Sequence, residues 1–161
     1  MESAMSSEWY TRPVSVEDVP HLGRVVWPGR APEDILHKIE RLAGDLGHRH
    51  GLALVACRAG ELLAYGQVTR WKRGAEIADL FVTESQRGRG IGSHIIRQLR
   101  THAAGWGVQY VEIGVDAANT GARRLYERLG FVPSYVHHSP GSAVHYLQWR
   151  VTPPASQTIY I

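Results

Sequence analysis

A single cysteine, Cys57, leaves no partner for an internal disulfide and too few thiolates for a cysteine-rich zinc site. Its place in the apolar run Leu52-Ala53-Leu54-Val55-Ala56-Cys57 predicts a buried, inert thiol. Charge of one sign is also scarce. Lys and Arg number 18 against 15 Asp and Glu, so the formal net charge is +3 and the pI of 9.2 reflects a small excess. Without a long basic run, that balance gives nucleic-acid binding little support. No segment approaches the roughly 20 apolar residues that a bilayer-crossing helix needs. Met1 to Glu8 is polar and lacks a signal-type apolar stretch, so the expectation is no membrane association and a reducing, cytoplasmic setting. Neither an internal repeat, a low-complexity block nor a linker divides the 161 residues. That length suits one domain, 1–161, with a core over about 9–151 and a tail over 152–161. Hydrophobic residues at 43% and charged residues at 20% suit a folded chain.

The periodicities give an ordered series of elements. Trp9 to Val14 reads as a strand stopped by Pro13 and Ser15. A short helix follows, capped either by Ser15 with Asp18 or by Asp18 with Pro20 in its first turn. A second helix is expected from about Pro32 to His48, with Ile35, Ile39, Leu42 and Leu46 on one face. Three strand-like runs come next: Leu52 to Arg58, Leu62 to Trp71, and Glu76 to Val82. Ala59-Gly60 and Lys72-Arg73-Gly74 separate them and are short enough for antiparallel hairpins. A helix beginning near Gly90 or Ile91 places Ile91, Ile95, Leu99 and His102 or Ala103 inward. Tyr110 to Val115 is a strand, Asn119 to Leu129 a helix ended by Gly130, and Phe131 to His138 with Val144 to Val151 a final hairpin. Helix–strand alternation in the second half calls for a mixed sheet covered on both faces.

Between the third of those runs and the next helix lies Val82-Thr83-Glu84-Ser85-Gln86-Arg87-Gly88-Arg89-Gly90-Ile91-Gly92-Ser93. Glycines at alternate positions, backed by a helix N-terminus, let successive N–H groups converge on an anion such as a pyrophosphate. Arg87 and Arg89 add charge at the rim. No lysine is present for an NTPase-type loop, and the third glycine is misplaced for a dinucleotide fingerprint. The plain alternative is a glycine-rich connection with a flexible tip.

Arg87-Gly88-Arg89-Gly90-Ile91-Gly92 resembles the Arg/Gln-x-x-Gly-x-Gly/Ala pattern of the GNAT superfamily of N-acetyltransferases. Asn119-Thr120-Gly121-Ala122-Arg123-Arg124-Leu125-Tyr126, followed by Gly130-Phe131, resembles that family's second signature, Asn-x-x-Ala-x-x-x-Tyr with a Gly-Phe turn. The resemblance covers residues 76 to 133 by motif and the stretch before them by topology alone. It implies a single-domain α/β GNAT-like fold, a mixed, mostly antiparallel sheet of about seven strands flanked by about four helices. It also implies an N-acetyltransferase that moves acetyl from acetyl-CoA to a primary amine by direct attack in a ternary complex, without a metal.

On that resemblance the N–H groups of residues 87 to 92, with Ser93 behind them, hold the pyrophosphate of acetyl-CoA. Leu80, Phe81 and Val82 pair with its pantetheine arm, and an N–H near Phe81 or Val82 polarises the thioester carbonyl. Tyr126 matches the tyrosine that protonates the leaving thiolate. A phenol titrating near ~10 can serve a thiol near ~8.5 at modest cost. The alternative for Tyr126 is packing, since Ala122, Leu125 and Leu129 share its side of the helix. Glu76 is the candidate base, with Asp79 and Glu112 as competitors and a water chain as a fourth route. Strict alternation sets Glu76, Ala78 and Leu80 on one face, and Ile77, Asp79 and Phe81 on the other. Asn119, with Ala122 beside it in the signature, bonds the pantetheine or a structural water and can also cap its helix. Arg123 and Arg124 read better as a solvated face than as partners of a 3′-phosphate.

Nine histidines raise a metal question. His48-x-His50, His137-His138 and His145 lack the i, i+4 spacing with glutamate of a hydrolytic zinc site, and His37 with Glu33 and Glu40 reads as a solvated helix face. No metal is expected. Trp27 reads as packing before it reads as an aromatic wall for an amine. One use for the apolar end of the tail, Thr158-Ile159-Tyr160-Ile161, is an added strand at a homodimer contact. No acceptor motif can be recognised, and a small-molecule amine is preferred over a protein amine. The rival is a non-catalytic acyl-CoA-binding or sensing domain.

Overall fold

The computed structural model describes residues 8–44 and 51–152. Strand β1 (Tyr10–Pro13) leads through a 3-10 turn at Val16–Asp18 into α1 (Val19–Val25) and α2 (Pro32–Gly44). Of the two capping options at this entrance, the Ser15–Asp18 box is formed, whereas Asp18 precedes α1 without a side-chain cap bond to it. Ser15 N–H donates to Asp18 Oδ2 at 2.8 Å, Ser15 Oγ accepts from Glu17 N–H at 3.3 Å, and Pro20 then enters the first turn of α1. Arg12 clamps the same buried Asp18 with two bonds of 2.8 and 2.7 Å. The expected end of α2 near His48, and with it Leu46, lies outside the described residues.

Strands β2 (Gly51–Arg58), β3 (Glu61–Trp71) and β4 (Gly74–Val82) form a meander. Its first hairpin turns on Ala59 and Gly60, both at positive φ (48° and 80°), as a two-residue turn between twisted strands requires. In the second hairpin Gly74 pairs with Trp71 and so begins β4 rather than ending the turn. Then follow α3 (Ile91–Ala104), β5 (Tyr110–Asp116), α4 (Thr120–Arg128), β6 (Val132–Ser139) and β7 (Ser142–Arg150). The strand order is β1-β2-β3-β4-β5-β7-β6, and every neighbouring pair is antiparallel except β4–β5.

The continuous apolar run of β2 is explained by burial on both sides. Leu52, Leu54 and Ala56 face one core, where α3 contributes Ile91, Ile95, Ile96, Leu99 and Ala103; His102 stays exposed. Ala53, Val55 and Cys57 face the other, beneath Leu22 of α1 and Ile35, Ile39 and Leu42 of α2. Cys57 is buried, and burial pushes its thiol pKa up, which suits an inert role.

Strand β4 departs from strict alternation. Gln67 pairs with Ala78 and Tyr65 with Phe81, so Gly66 alone stands opposite Asp79 and Leu80. Asp79 takes a left-handed φ of 52° at this bulge. The slip corrects the expected faces. Leu80 and Val82 join Ala75 and Ile77 on the α3 side, whereas Phe81 pairs with Tyr65 on the α1–α2 side. Gly66 is required there, because a Cβ would stand 2.7 Å from Ile95 Cγ2.

Candidate active site

The parallel seam between β4 and β5 is short. Gly74 to Ile77 pair with Tyr110 to Ile113, and beyond the bulge the two strands part. The gap opens a cleft of about 810 Å³. One wall is Leu80, Phe81 and Val82 of β4. Its floor is Gln86, Arg87, Gly88, Gly90, Ile91, Gly92 and Ser93, and its other wall is Asn119, Gly121, Ala122, Leu125, Tyr126 and Arg128 of the α4 segment. The sequence-predicted cofactor residues thus converge on one cavity, with the exception of Arg89, which does not line it. A larger open depression of about 900 Å³ lies over the polar face of α2. Its lining is wholly charged or titratable, Arg30, Asp34, His37, Lys38, Glu40 and Arg41, and it contains none of the motif residues.

The loop is shaped to present N–H groups. Gly88 and Gly90 sit at φ 76° and 86°, a left-handed region that strains any side chain. Gly90 caps α3 without a side chain, and the first intrahelical bond runs from His94 N–H to Gly90 O at 3.0 Å. The N–H groups of Ile91, Gly92 and Ser93 therefore lack helical partners and carry the positive end of the helix dipole. Arg87 behaves differently from the expectation for residues 87 to 92. Its own N–H turns back to Glu84 O at 3.3 Å, while its Nε donates to Val82 O at 3.1 Å. Thr83 N–H donates to Leu63 O at 2.8 Å, so strand alternation turns the Val82 N–H the opposite way, toward the cleft.

Across the cleft, Asn119 Oδ1 accepts from Ala122 N–H at 3.1 Å and caps α4. Tyr126 is buried at 6% exposure, its ring centroid 6.3 Å from that of Phe131. It packs and lines the cleft at once. Burial raises its phenol pKa, so the hydroxyl keeps its proton well into the alkaline range. Arg123 bonds Glu127 at 3.1 Å and meets His145 at 3.2 Å. Neither Arg123 nor Arg124 lines the cleft.

The three candidate bases fare unequally. Asp79 is held by Lys38 Nζ of α2 at 2.6 Å. Glu112 has both oxygens engaged, by Tyr135 Oη at 2.8 Å and Gln148 Nε2 at 3.1 Å. Glu76 makes no hydrogen bond or ion pair among the described residues. Burial first, then the neighbouring Glu112 and Asp79, raise its pKa. Glu76 does not line the cleft cavity. It stands on the face opposite Ile77, and Tyr126 stands on the same face as Ile77. The predicted acid and base thus flank the sheet, with the β4–β5 opening between them.

A group whose folded pKa is raised adds stability when protonated and loses it as pH rises through that pKa. Glu76→Gln is therefore expected to melt higher than wild type at about pH 8, the difference vanishing by about pH 3, where the carboxyl is protonated in both states. Thermal scans across that range check it; a lower melting temperature for the variant at pH 8 would contradict the assigned environment.

The model of the GNAT acetyltransferase family matches residues 15–131. The chain belongs to that family. A glucosamine 6-phosphate N-acetyltransferase from rice is 35% identical over 118 residues, covering 68% of each chain. An L-methionine sulfoximine/L-methionine sulfone acetyltransferase from Pseudomonas paraeruginosa is 30% identical over 111 residues, 66% of this chain and 64% of its own. An uncharacterised N-acetyltransferase of Methanocaldococcus jannaschii is 44% identical over 57 residues, and the match spans 25% of its length. Among solved structures, an N-acetyltransferase from Staphylococcus aureus superposes with a TM-score of 0.77 at 15% identity, over 91% of this chain and all (100%) of that one. A Salmonella typhimurium acetyltransferase with its cofactor acetyl-CoA gives 0.75 at 17% identity, over 96% and 100%. These two show the fold: a single α/β domain with, among the described residues, a seven-stranded mixed sheet and four α-helices, as the resemblance implied.

Within this GNAT fold, Gln86, Gly121, Leu125 and Arg128 line the cleft without having been singled out as site residues. Gly121, Leu125 and Arg128 step by four and three along α4, so helical periodicity around Ala122 was the signal for them. Trp27 packs edge-on against Tyr65, centroids 5.1 Å apart, and its face is taken by Lys38 at 4.9 Å and Arg30 at 5.5 Å. Among the described residues no group of three or more His, Cys, Asp or Glu could hold a metal ion, and no helix is long and apolar enough to cross a membrane. His48, His50 and the tail from Pro153 lie outside the described residues.

Proposed function

We propose that this chain is an acetyl-CoA-dependent N-acetyltransferase acting on a primary amine, by direct attack in a ternary complex. The observation that carries the reading is the opening through the sheet. It has a phosphate-ready helix N-terminus and Tyr126 on one face, and an unpartnered carboxylate, Glu76, on the other. The pyrophosphate of acetyl-CoA is held by Gly88 to Ser93, and the pantetheine arm lies along Leu80 to Val82 in place of the missing β5 pairing. Asn119 and Ala122 flank that arm.

Glu76 takes a proton from the acceptor ammonium, directly or through a water. The freed nitrogen lone pair attacks the thioester carbonyl carbon, whose oxygen becomes an oxyanion facing the Val82 N–H. Collapse breaks the C–S bond, and the Tyr126 hydroxyl gives its proton to the departing thiolate. The amide nitrogen sheds its remaining extra proton to solvent, and solvent exchange takes the proton from Glu76 and restores that of Tyr126. No cysteine takes part, since Cys57 is buried on the α1–α2 side. A small-molecule acceptor is favoured over a protein amine, in keeping with relatives named for methionine sulfoximine and glucosamine 6-phosphate.

Calorimetric titration tests the reading without knowledge of the acceptor. Acetyl-CoA is expected to bind with one-to-one stoichiometry, NAD and ATP to bind far more weakly, and thiol release to follow when amines are supplied. Absence of acetyl-CoA binding at millimolar concentration by a folded sample would overturn it.

A further inference from the structure

Helices α1 and α2 cover only the β1–β3 half of their face of the sheet. The other half, β4-β5-β7-β6, carries no helix on that side among the described residues, and it adjoins the β4–β5 opening. Register fixes what stands there. Glu76 pairs with Glu112 and Glu112 with Gln148, while Gly114 pairs with Tyr146 and Tyr146 with Tyr135. At Gly114 a Cβ would come within 3.0 Å of Tyr146 Cε1, so the glycine lets that ring lean across β5 toward β4. Tyr135 stacks on Tyr146 at 4.7 Å with an interplanar angle of 12°, and Tyr135 remains 48% exposed. The result is an open aromatic shelf beside the reaction site.

The charges of this shelf are unbalanced. Lys38, the cation reaching it from α2, is committed to Asp79. Glu112 is fixed by Tyr135 and Gln148, and both hydrogen bonds leave its negative charge in place. Glu76 has no counter-ion among the described residues. A neutral or anionic acceptor tail placed over the shelf would meet two carboxylates and the outer, electron-rich face of the ring stack. A cationic tail would meet a charge partner and a cation–π surface, the latter worth about 0.5–2 kcal/mol.

We infer that the acceptor is a diamine-type dication, one nitrogen reacting beside Glu76 and the other seated over the Tyr146–Tyr135 stack next to Glu112. This rests on the acetyltransferase reading above. Glu76 and Tyr146 stand two strands and two residues apart, roughly 12 Å at ordinary strand spacing and rise. An extended spacer of four or five carbons, with a contact at each end, bridges that distance.

A matched series of equal chain length tests the inference. Butane-1,4-diamine, butylamine and 4-aminobutanoate present a remote cation, nothing, and a remote anion. With acetyl-CoA and the full chain, kcat/KM is expected to fall at least tenfold from the diamine to butylamine and further to 4-aminobutanoate, mostly through KM. Glu112→Gln and Tyr146→Leu should each shrink the diamine-to-butylamine ratio at least threefold, while calorimetry with acetyl-CoA confirms that the variants remain folded. Equal use of the three amines, a ratio unmoved by both variants, or acetylation of none of them by protein that acetylates another amine would overturn the dication assignment alone. Failure to bind acetyl-CoA would instead remove the reading beneath it.

Discussion

Tyr126→Phe is expected to lower kcat by about 10²–10⁴-fold, the usual worth of a positioned general acid, while acetyl-CoA still binds within tenfold of wild type. The change removes one oxygen and keeps the ring that packs near Phe131. No protein partner of the hydroxyl is left unsatisfied among the described residues, so the fold loses nothing that would confound the reading. The acid must carry its proton to act. Burial raises the phenol pKa, which holds that proton at pH values where an exposed tyrosine would have begun to lose it. The alkaline fall in wild-type kcat should therefore lie above the ordinary tyrosine range, and the residual activity of Tyr126→Phe should show no such fall. Single-turnover rates against pH for both proteins are the measurement. A variant that transfers acetyl at the wild-type rate across pH would show that Tyr126 only packs.

Gly90→Val carries the second large effect, on binding rather than chemistry. Nothing lies within 4 Å of a Cβ at this position, so the obstacle is backbone conformation and not space. At φ 86° a β-branched residue is forbidden, and the loop must rearrange or hold strain of about 1–2 kcal/mol. Rearrangement swings the N–H groups that begin α3 away from their common point. Acetyl-CoA affinity is expected to fall at least tenfold, about 1.4 kcal/mol, when titrated by calorimetry. Gly141 supplies the control. It has φ 75°, equally open surroundings, and a place at the β6–β7 turn away from the cleft. Gly141→Val should destabilise by a similar amount and leave acetyl-CoA affinity unchanged. If both variants weaken binding alike, the loop geometry is not what holds the phosphates.

The loop and Tyr126 were legible because their information is local. Alternate glycines next to a helix start, and a tyrosine seven residues after an N-capping Asn119, carry their geometry in the spacing itself. The bulge at Asp79 was not, since neither Gly, Pro nor Asn marks it. A side chain held by Lys38 occupies a conformation normally left to glycine. One inserted residue then reversed every face assignment beyond Ala78. Ranking the bases was equally out of reach. Glu112 is engaged by Tyr135 and Gln148, which lie 23 and 36 residues away along the chain. Only the strand order, with β7 between β5 and β6, brings them together.

That strand order has a mechanical side. Strands β1 to β4 form one ribbon and β5 to β7 another, and the two are stitched by four rungs, Gly74 to Ile77 against Tyr110 to Ile113. Below the stitches the ribbons are a single fabric; above them they hang apart like the legs of a pair of compasses. On the reading proposed here, the arm of the acetyl donor threads between those legs and bonds to the one that β5 has left bare. The donor then serves as a temporary seam. Each turnover closes the fabric as it arrives and reopens it as the spent thiol leaves.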